Sequence, residues 1–143
     1  MNILCICTGN ICRSPMLEYL LQNELPKHGL TDMTVAGAGT HTIDDEPPSA
    51  HAITVMQEIG IDISGHRSRQ MTQAIADETD IFIALTTEHG VTLAFHYGVD
   101  PEKILIPGEG IPDPYGCDLN TYRACRDAML EALPQLIEDL KAL

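Results

Sequence analysis

A single three-layer α/β domain, with a four-stranded parallel sheet covered by helices on both faces, is predicted by three features of the sequence. Short apolar runs at Ile3–Ile6, Met33–Ala38, Ile81–Leu85 and Ile104–Ile106 alternate with segments of helical apolar spacing, the pattern of parallel βαβ units. The chain has 143 residues, the size of one domain with one core, so residues 1–143 are read as one unit. No repeat, low-complexity tract or apolar stretch near the roughly 20 residues of a membrane helix interrupts the alternation.

Taken in order, Ile3-Leu4-Cys5-Ile6 reads as a buried strand that runs at once into a loop at Thr8-Gly9-Asn10. A helix is expected from Arg13-Ser14-Pro15, with Ser14 as cap, Pro15 in the first turn and Glu18 also in that turn. It ends near Lys27-His28-Gly29. After the second strand and a polar loop, Pro47-Pro48 introduce a helix stopped by Gly60. A third helix is expected over Ser68–Asp77, a fourth over Thr87–Tyr97, and a last one from about Asn120, which Pro134 can kink. Ligands of such sheets bind beyond the carboxyl ends of the strands. The loop after strand one and the Pro/Gly/acid-rich loop Pro107–Asp118 after strand four both fall on that edge.

The formal net charge is −13, from 21 acidic and 8 basic residues. That balance argues against nucleic acid and favours solubility. It also means that an anionic ligand must be captured by a short-range local site, because the long-range field opposes it. The N-terminus lacks the pattern of a signal peptide, so a soluble cytoplasmic protein away from membranes is expected. Five cysteines without zinc or disulfide-scaffold spacing are expected to be free thiols. A metal at Cys5-x-Cys7 is discounted on the expectation that the two side chains face opposite sides of the strand, and no cofactor is predicted.

Chemistry concentrates in Cys7-Thr8-Gly9-Asn10-Ile11-Cys12-Arg13-Ser14. Gly9 and Asn10 accept unusual backbone angles, so the loop can curl with successive N–H groups pointing inward as an anion nest. The following helix adds its unsatisfied N–H groups, and Arg13 brings a planar fork matched to two phosphate oxygens. The same field favours the thiolate of Cys7, the form that attacks phosphorus, and Ser14 can donate to that sulfur. Thr8, Gly9, Asn10, Ile11, Cys12 and Ser14 are thus candidate phosphate-binding residues. Displacing an alkoxide or phenolate also needs a general acid opposite the sulfur. Asp44, Asp45, Glu46, Glu109, Asp113 and Asp118 lie in strand-end loops, and Asp113 is the one stiffened between two prolines in Pro112-Asp113-Pro114-Tyr115.

The string from Cys7 to Pro15, followed late in the chain by Asp113-Pro114-Tyr115, resembles the low-molecular-weight protein tyrosine phosphatase family, and the resemblance extends through nearly the whole chain. It implies Cys7 as nucleophile, Arg13 as phosphate clamp, Asp113 as general acid and then base, and Asn10 as the residue that holds the loop's shape. Tyr115 would wall a slot for a flat ring. His66, in His66-Arg67-Ser68-Arg69-Gln70, would support the loop through its Asn. Phosphate or another oxyanion would occupy the site. The partner would be a phosphotyrosine-containing protein, with a tyrosine kinase one such candidate. Cys12, five residues after the nucleophile, is read either as a packing residue or as the partner of Cys7 in a reversible disulfide.

Three departures from the family pattern bear on this expectation. Gly37 stands where a Ser usually pins the loop Asn, so weaker support of Asn10 is expected. The loop from Thr40 to Pro48 has no aromatic residue, and its rim is expected to be Asp44-Asp45-Glu46. The third strand ends in Leu85-Thr86 rather than Met-Asp. Altered peptide preference follows. Three rivals stand beside the main reading. An arsenate reductase of this fold needs shuttle cysteines that are missing between Cys12 and Cys117. A protein-arginine phosphatase is associated with Thr where Ile11 stands, and a phosphate-binding module would have lost the chemistry that Cys7, Arg13 and Asp113 could supply.

Overall fold

The computed structural model describes residues 1–143. Strands β1 (Asn2–Cys7), β2 (Thr34–Gly39), β3 (Ile81–Ala84) and β4 (Ile104–Leu105) form one parallel sheet in the order β2-β1-β3-β4. On one face Ile3, Cys5 and Cys7 pack with α1 (Arg13–Glu24), α2 (Ala50–Gln57) and α5 (Leu119–Lys141). On the other, Leu4 and Ile6 pack with residues of α3 (Gln73–Glu78) and α4 (Thr87–His96). Burial on both faces is why β1 and β3 read as continuous apolar runs rather than as alternations.

The strand order places a topological switch at β1. The chain leaves β1 for β2 on one side and returns to β3 on the other, which opens a crevice beyond the carboxyl end of β1. The loop from residue 8 to residue 12 sits in that crevice. The 107–118 loop reaches it because Ile111 N–H donates to the carbonyl of Leu85, just past β3, at 2.7 Å.

Several local expectations are corrected. Cys5 and Cys7, two residues apart on a strand, share one face of the sheet. Cys5 is fully buried, and burial holds its thiol well above the ordinary value, so it is a small core residue rather than a ligand. Ser14 does not cap α1, whose N-cap is Cys12 with no side-chain bond, and Glu18 falls in the second turn. The segment expected to begin the third helix is extended instead. Ser68 exchanges backbone hydrogen bonds with Asp45 and Glu46, and Gln70 bridges to Gly39 at the end of β2. Helix α3 starts only after Thr72, whose hydroxyl accepts Ile75 N–H at 3.2 Å. Pro134 lies inside α5, which continues through it to Lys141 from the cap Asp118. No helix is long and apolar enough to cross a membrane.

Candidate active site

The loop after β1 is held from outside by its carbonyls. Those of Cys7, Thr8 and Ile11 accept N–H groups of Thr40 (2.9 Å), His41 (3.0 Å) and Ser49 (2.9 Å), and that of Asn10 accepts His66 Nε2–H at 2.8 Å. With the carbonyls drawn outward, N–H groups are left to face the crevice, and Asn10 N–H donates to Cys7 Sγ at 3.3 Å. Ser14 Oγ lies 3.0 Å from the same sulfur. The freedom of Ser14 from capping is what allows this contact.

Asn10 is the keystone of the loop. It is fully buried with φ of 55°, a left-handed conformation that Asn tolerates better than most residues. Its Nδ2 donates to Ser14 Oγ at 2.6 Å, and its Oδ1 accepts Arg69 N–H at 3.0 Å. The support that a Ser at position 37 was expected to supply therefore comes from Arg69, Ser14 and His66. Gly37 has its own reason. A Cβ there would meet Glu18 Oε1 at 2.7 Å and Asn10 Nδ2 at 3.0 Å. Gly39 is similarly required, because a Cβ would meet the Thr8 carbonyl at 2.6 Å.

Glu18 and His66 complete this buried layer, with His66 Nδ1 3.9 Å from Glu18 Oε1. His66 donates through Nε2, so in its neutral form the lone pair of Nδ1 faces the carboxyl. Burial lowers the pKa of His66 below its usual value. Burial raises that of Glu18 to about 7, against the opposing charge of Arg69 and the Gln22 hydrogen bond. No buried side-chain nitrogen or oxygen in the protein lacks a hydrogen-bond partner.

Arg13, 4% exposed, crosses the crevice. Its Nη1–H donates to the carbonyl of Ile111 at 3.1 Å, and Nη2 lies 3.6 Å from Asp113 Oδ2. Asp113 Oδ1 accepts Tyr115 N–H at 3.1 Å, an Asx turn that directs the carboxylate toward the loop. Cys7, Arg13, Asp113 and Tyr115 thus line one cleft of about 430 Å³. Ile11 and Ile43 supply apolar wall, and Tyr115 is two-thirds exposed at its mouth. Cys12 is buried, with its sulfur 3.2 Å from Tyr122 Oη and 3.4 Å from Ser49 Oγ, and burial raises its thiol pKa.

The rim differs from expectation. Of the acidic triplet only Glu46 lines the cleft, while Asp44 is turned away to accept Gln70 N–H at 2.8 Å. His41, Thr42 and Ile43 line it instead, residues that carry no motif. His89 was also unmarked. Its ring is buried beside the loop, Nε2 2.9 Å from Thr8 Oγ1 and Nδ1 2.8 Å from Thr86 Oγ1. No group of three or more His, Cys, Asp or Glu side chains is arranged to hold a metal.

A family model described as low molecular weight phosphotyrosine protein phosphatase matches residues 2–143. A protein-arginine-phosphatase of Bacillus subtilis is 30% identical, covering 99% of this chain and 97% of its own. The low molecular weight protein-tyrosine-phosphatase Etp of Escherichia coli is 36% identical over 80% of this chain and 77% of its own. Among solved structures, a low molecular weight protein tyrosine phosphatase from T. tengcongensis superposes with a TM-score of 0.89 at 30% identity, covering 97% of this chain and 99% of its own. Sequence, fold and the loop that follows β1 agree, and the chain belongs to the low-molecular-weight protein tyrosine phosphatase family.

Proposed function

We propose that the protein hydrolyses phosphotyrosine in proteins through a cysteinyl-phosphate. The observation that carries this reading is the convergence of Cys7, Arg13 and Asp113 on one cleft walled by Ile11, Ile43 and Tyr115. The phosphoryl group sits on the N–H groups of the loop, and the Arg13 fork turns from Asp113 to its oxygens. Cys7 Sγ attacks phosphorus, the P–O bond breaks, and Asp113 gives its proton to the departing phenolate. Water then attacks the S–P bond in line while Asp113 takes its proton, and the thiolate leaves with Ser14 hydrogen-bonded to it. Phosphate is released, and every group returns to its starting state.

The apolar side chains of Ile11 and Ile43 suit the face of a phenolic ring better than a charged guanidinium. The similarity to an arginine phosphatase makes phosphoarginine the second substrate to test. A reducing cytoplasm suits five free thiols, one of them the nucleophile. An autophosphorylated tyrosine kinase would present a suitable substrate. The test is hydrolysis of p-nitrophenyl phosphate with chelator present, by the native chain, Cys7→Ser and Asp113→Ala. Cys7→Ser should be inactive, and Asp113→Ala should be slower by about 10²–10⁴. Activity that survives in Cys7→Ser refutes the reading, and a preference for phosphoarginine over phosphotyrosine peptides replaces the substrate.

A further inference from the structure

The chain Thr86–His89–Thr8 has no part in the scheme above, although it ends on the second residue of the phosphate loop. The ring of His89 bridges two hydroxyls, Thr86 Oγ1 at 2.8 Å from Nδ1 and Thr8 Oγ1 at 2.9 Å from Nε2. Thr86 Oγ1 also accepts the backbone N–H of His89 at 3.3 Å, as N-cap of α4. Thr8 lines the catalytic cleft together with Arg13 and Asp113. The same three residues also line an adjoining polar hollow that holds Thr86 and His89. Leu85-Thr86, the departure at the end of β3, thus places one end of this chain.

Counting protons gives the chain a direction. Buried beside Arg13, His89 is neutral near pH 7, since burial first and the Arg13 charge second lower its pKa to about 4. One ring nitrogen therefore donates and the other accepts. If Nδ1 donated to Thr86, the surplus hydroxyl proton would fall on half-buried Thr86, whose only side-chain partner in the protein is His89. If Thr86 donates to Nδ1, then Nε2–H donates to Thr8, and the surplus proton falls on exposed Thr8, in the cleft beside Asp113. The second arrangement puts the proton that has no protein partner on the more exposed of the two hydroxyls, where water or substrate can accept it.

We propose that His89 is a positioning residue that turns the Thr8 hydroxyl proton toward the leaving-group oxygen, where it stabilises the negative charge that develops as the P–O bond breaks. The proposal rests on the phosphatase reading and adds a second donor beside Asp113. Thr8 touches the reacting group, and His89 acts through Thr8 by holding its oxygen as acceptor so that the proton points outward. No bond to either side chain is made or broken.

The test is a leaving-group series of aryl phosphates, from p-nitrophenyl to phenyl phosphate, read as kcat/KM for the native enzyme, Thr8→Val, His89→Ala and the double variant. Thr8→Val keeps the side-chain shape at an exposed position and removes one hydrogen-bond partner of His89. A donor to a charged oxygen is worth about ten-fold, and the loss should grow as the leaving group becomes more basic. Phenyl phosphate should therefore lose about ten-fold in both single variants, and p-nitrophenyl phosphate far less. The double variant should be no worse than Thr8→Val, and Thr8→Ser should restore the native slope. A loss equal across the series, or additive losses in the double variant, overturns the proposal while leaving the phosphatase reading intact. An inactive native chain would instead sink that reading itself.

Discussion

Replacing Glu18 by Gln should abolish a large part of the pH dependence of folding stability. Glu18 is only 8% exposed, and the one hydrogen bond to its carboxyl, from Gln22 Nε2, is long at 3.3 Å. Burial raises its pKa from 4.5 to about 7. The folded chain thus holds this proton more tightly than the unfolded chain, so the stabilisation is complete below the unfolded value and is lost as pH rises through about 7. The loss is about 3 kcal/mol in full, of which about 2.5 kcal/mol develops between pH 5 and 8.5. Against a total stability of about 5–15 kcal/mol this is readily measured. Urea unfolding of the native chain and Glu18→Gln at those two pH values isolates the effect, because titrating groups not in contact with Glu18 cancel in the difference. The stability of Glu18→Gln relative to native should rise by about 2.5 kcal/mol from pH 5 to 8.5, a midpoint change of about 1–2 M urea. A difference that is the same at both pH values would refute the reasoning, since Glu18 would then be ionised in the folded state at little cost.

Two further outcomes concern Asn10 and His89. Asn10→Ala should destabilise by about 2–4 kcal/mol, because it puts a Cβ residue at φ of 55° without the bonds to Ser14 and Arg69. Asn10→Gly loses the same bonds without the backbone strain and should melt above the Ala variant; equal melting temperatures would show that strain plays no part. His89 has its pKa lowered to about 4, so it stabilises the fold above its unfolded value near 6.5, and that contribution is lost as pH falls through about 4. Urea titrations at pH 7 and 4.5 should show native stability falling more steeply with acid than that of His89→Gln, and parallel curves would refute the assignment.

How far the site was legible depended on whether a residue's role follows from its neighbours in the chain. Cys7, Arg13 and Ser14 belong to one contiguous loop, so spacing alone brought their chemistry together. Asp113 is set apart by its two prolines, but its expected role as the acid came from the resemblance of Asp113-Pro114-Tyr115 to the family's second motif; the edge of the sheet where it lies followed from strands alternating with helices. Ser14 was misread as a cap because capping statistics are local, whereas its hydroxyl is claimed by Cys7 and Asn10 across the loop. Ser68–Met71 reads as helix from its own residues but is pulled straight by pairing with the loop after β2. His41 and Ile43 reach the cleft, and His89 reaches Thr8 at its edge, from segments without any motif, and only tertiary contacts place them there.

Gly37 shows most directly why a residue difference cannot be judged one position at a time. Viewed along the sequence, a missing hydroxyl removes a hydrogen bond from Asn10 and weakens the loop. In the fold, the space a Ser would need is held by Glu18 Oε1, and Asn10 is bound on both ends of its amide by Ser14 and Arg69. Arg69 closes the arrangement, since its Nε–H donates to the Gly37 carbonyl at 2.8 Å while its backbone N–H holds Asn10. The glycine, the buried acid and the arginine therefore form one solution to the packing under the phosphate loop. Gly37→Ser made alone should crowd Glu18 rather than restore a lost support.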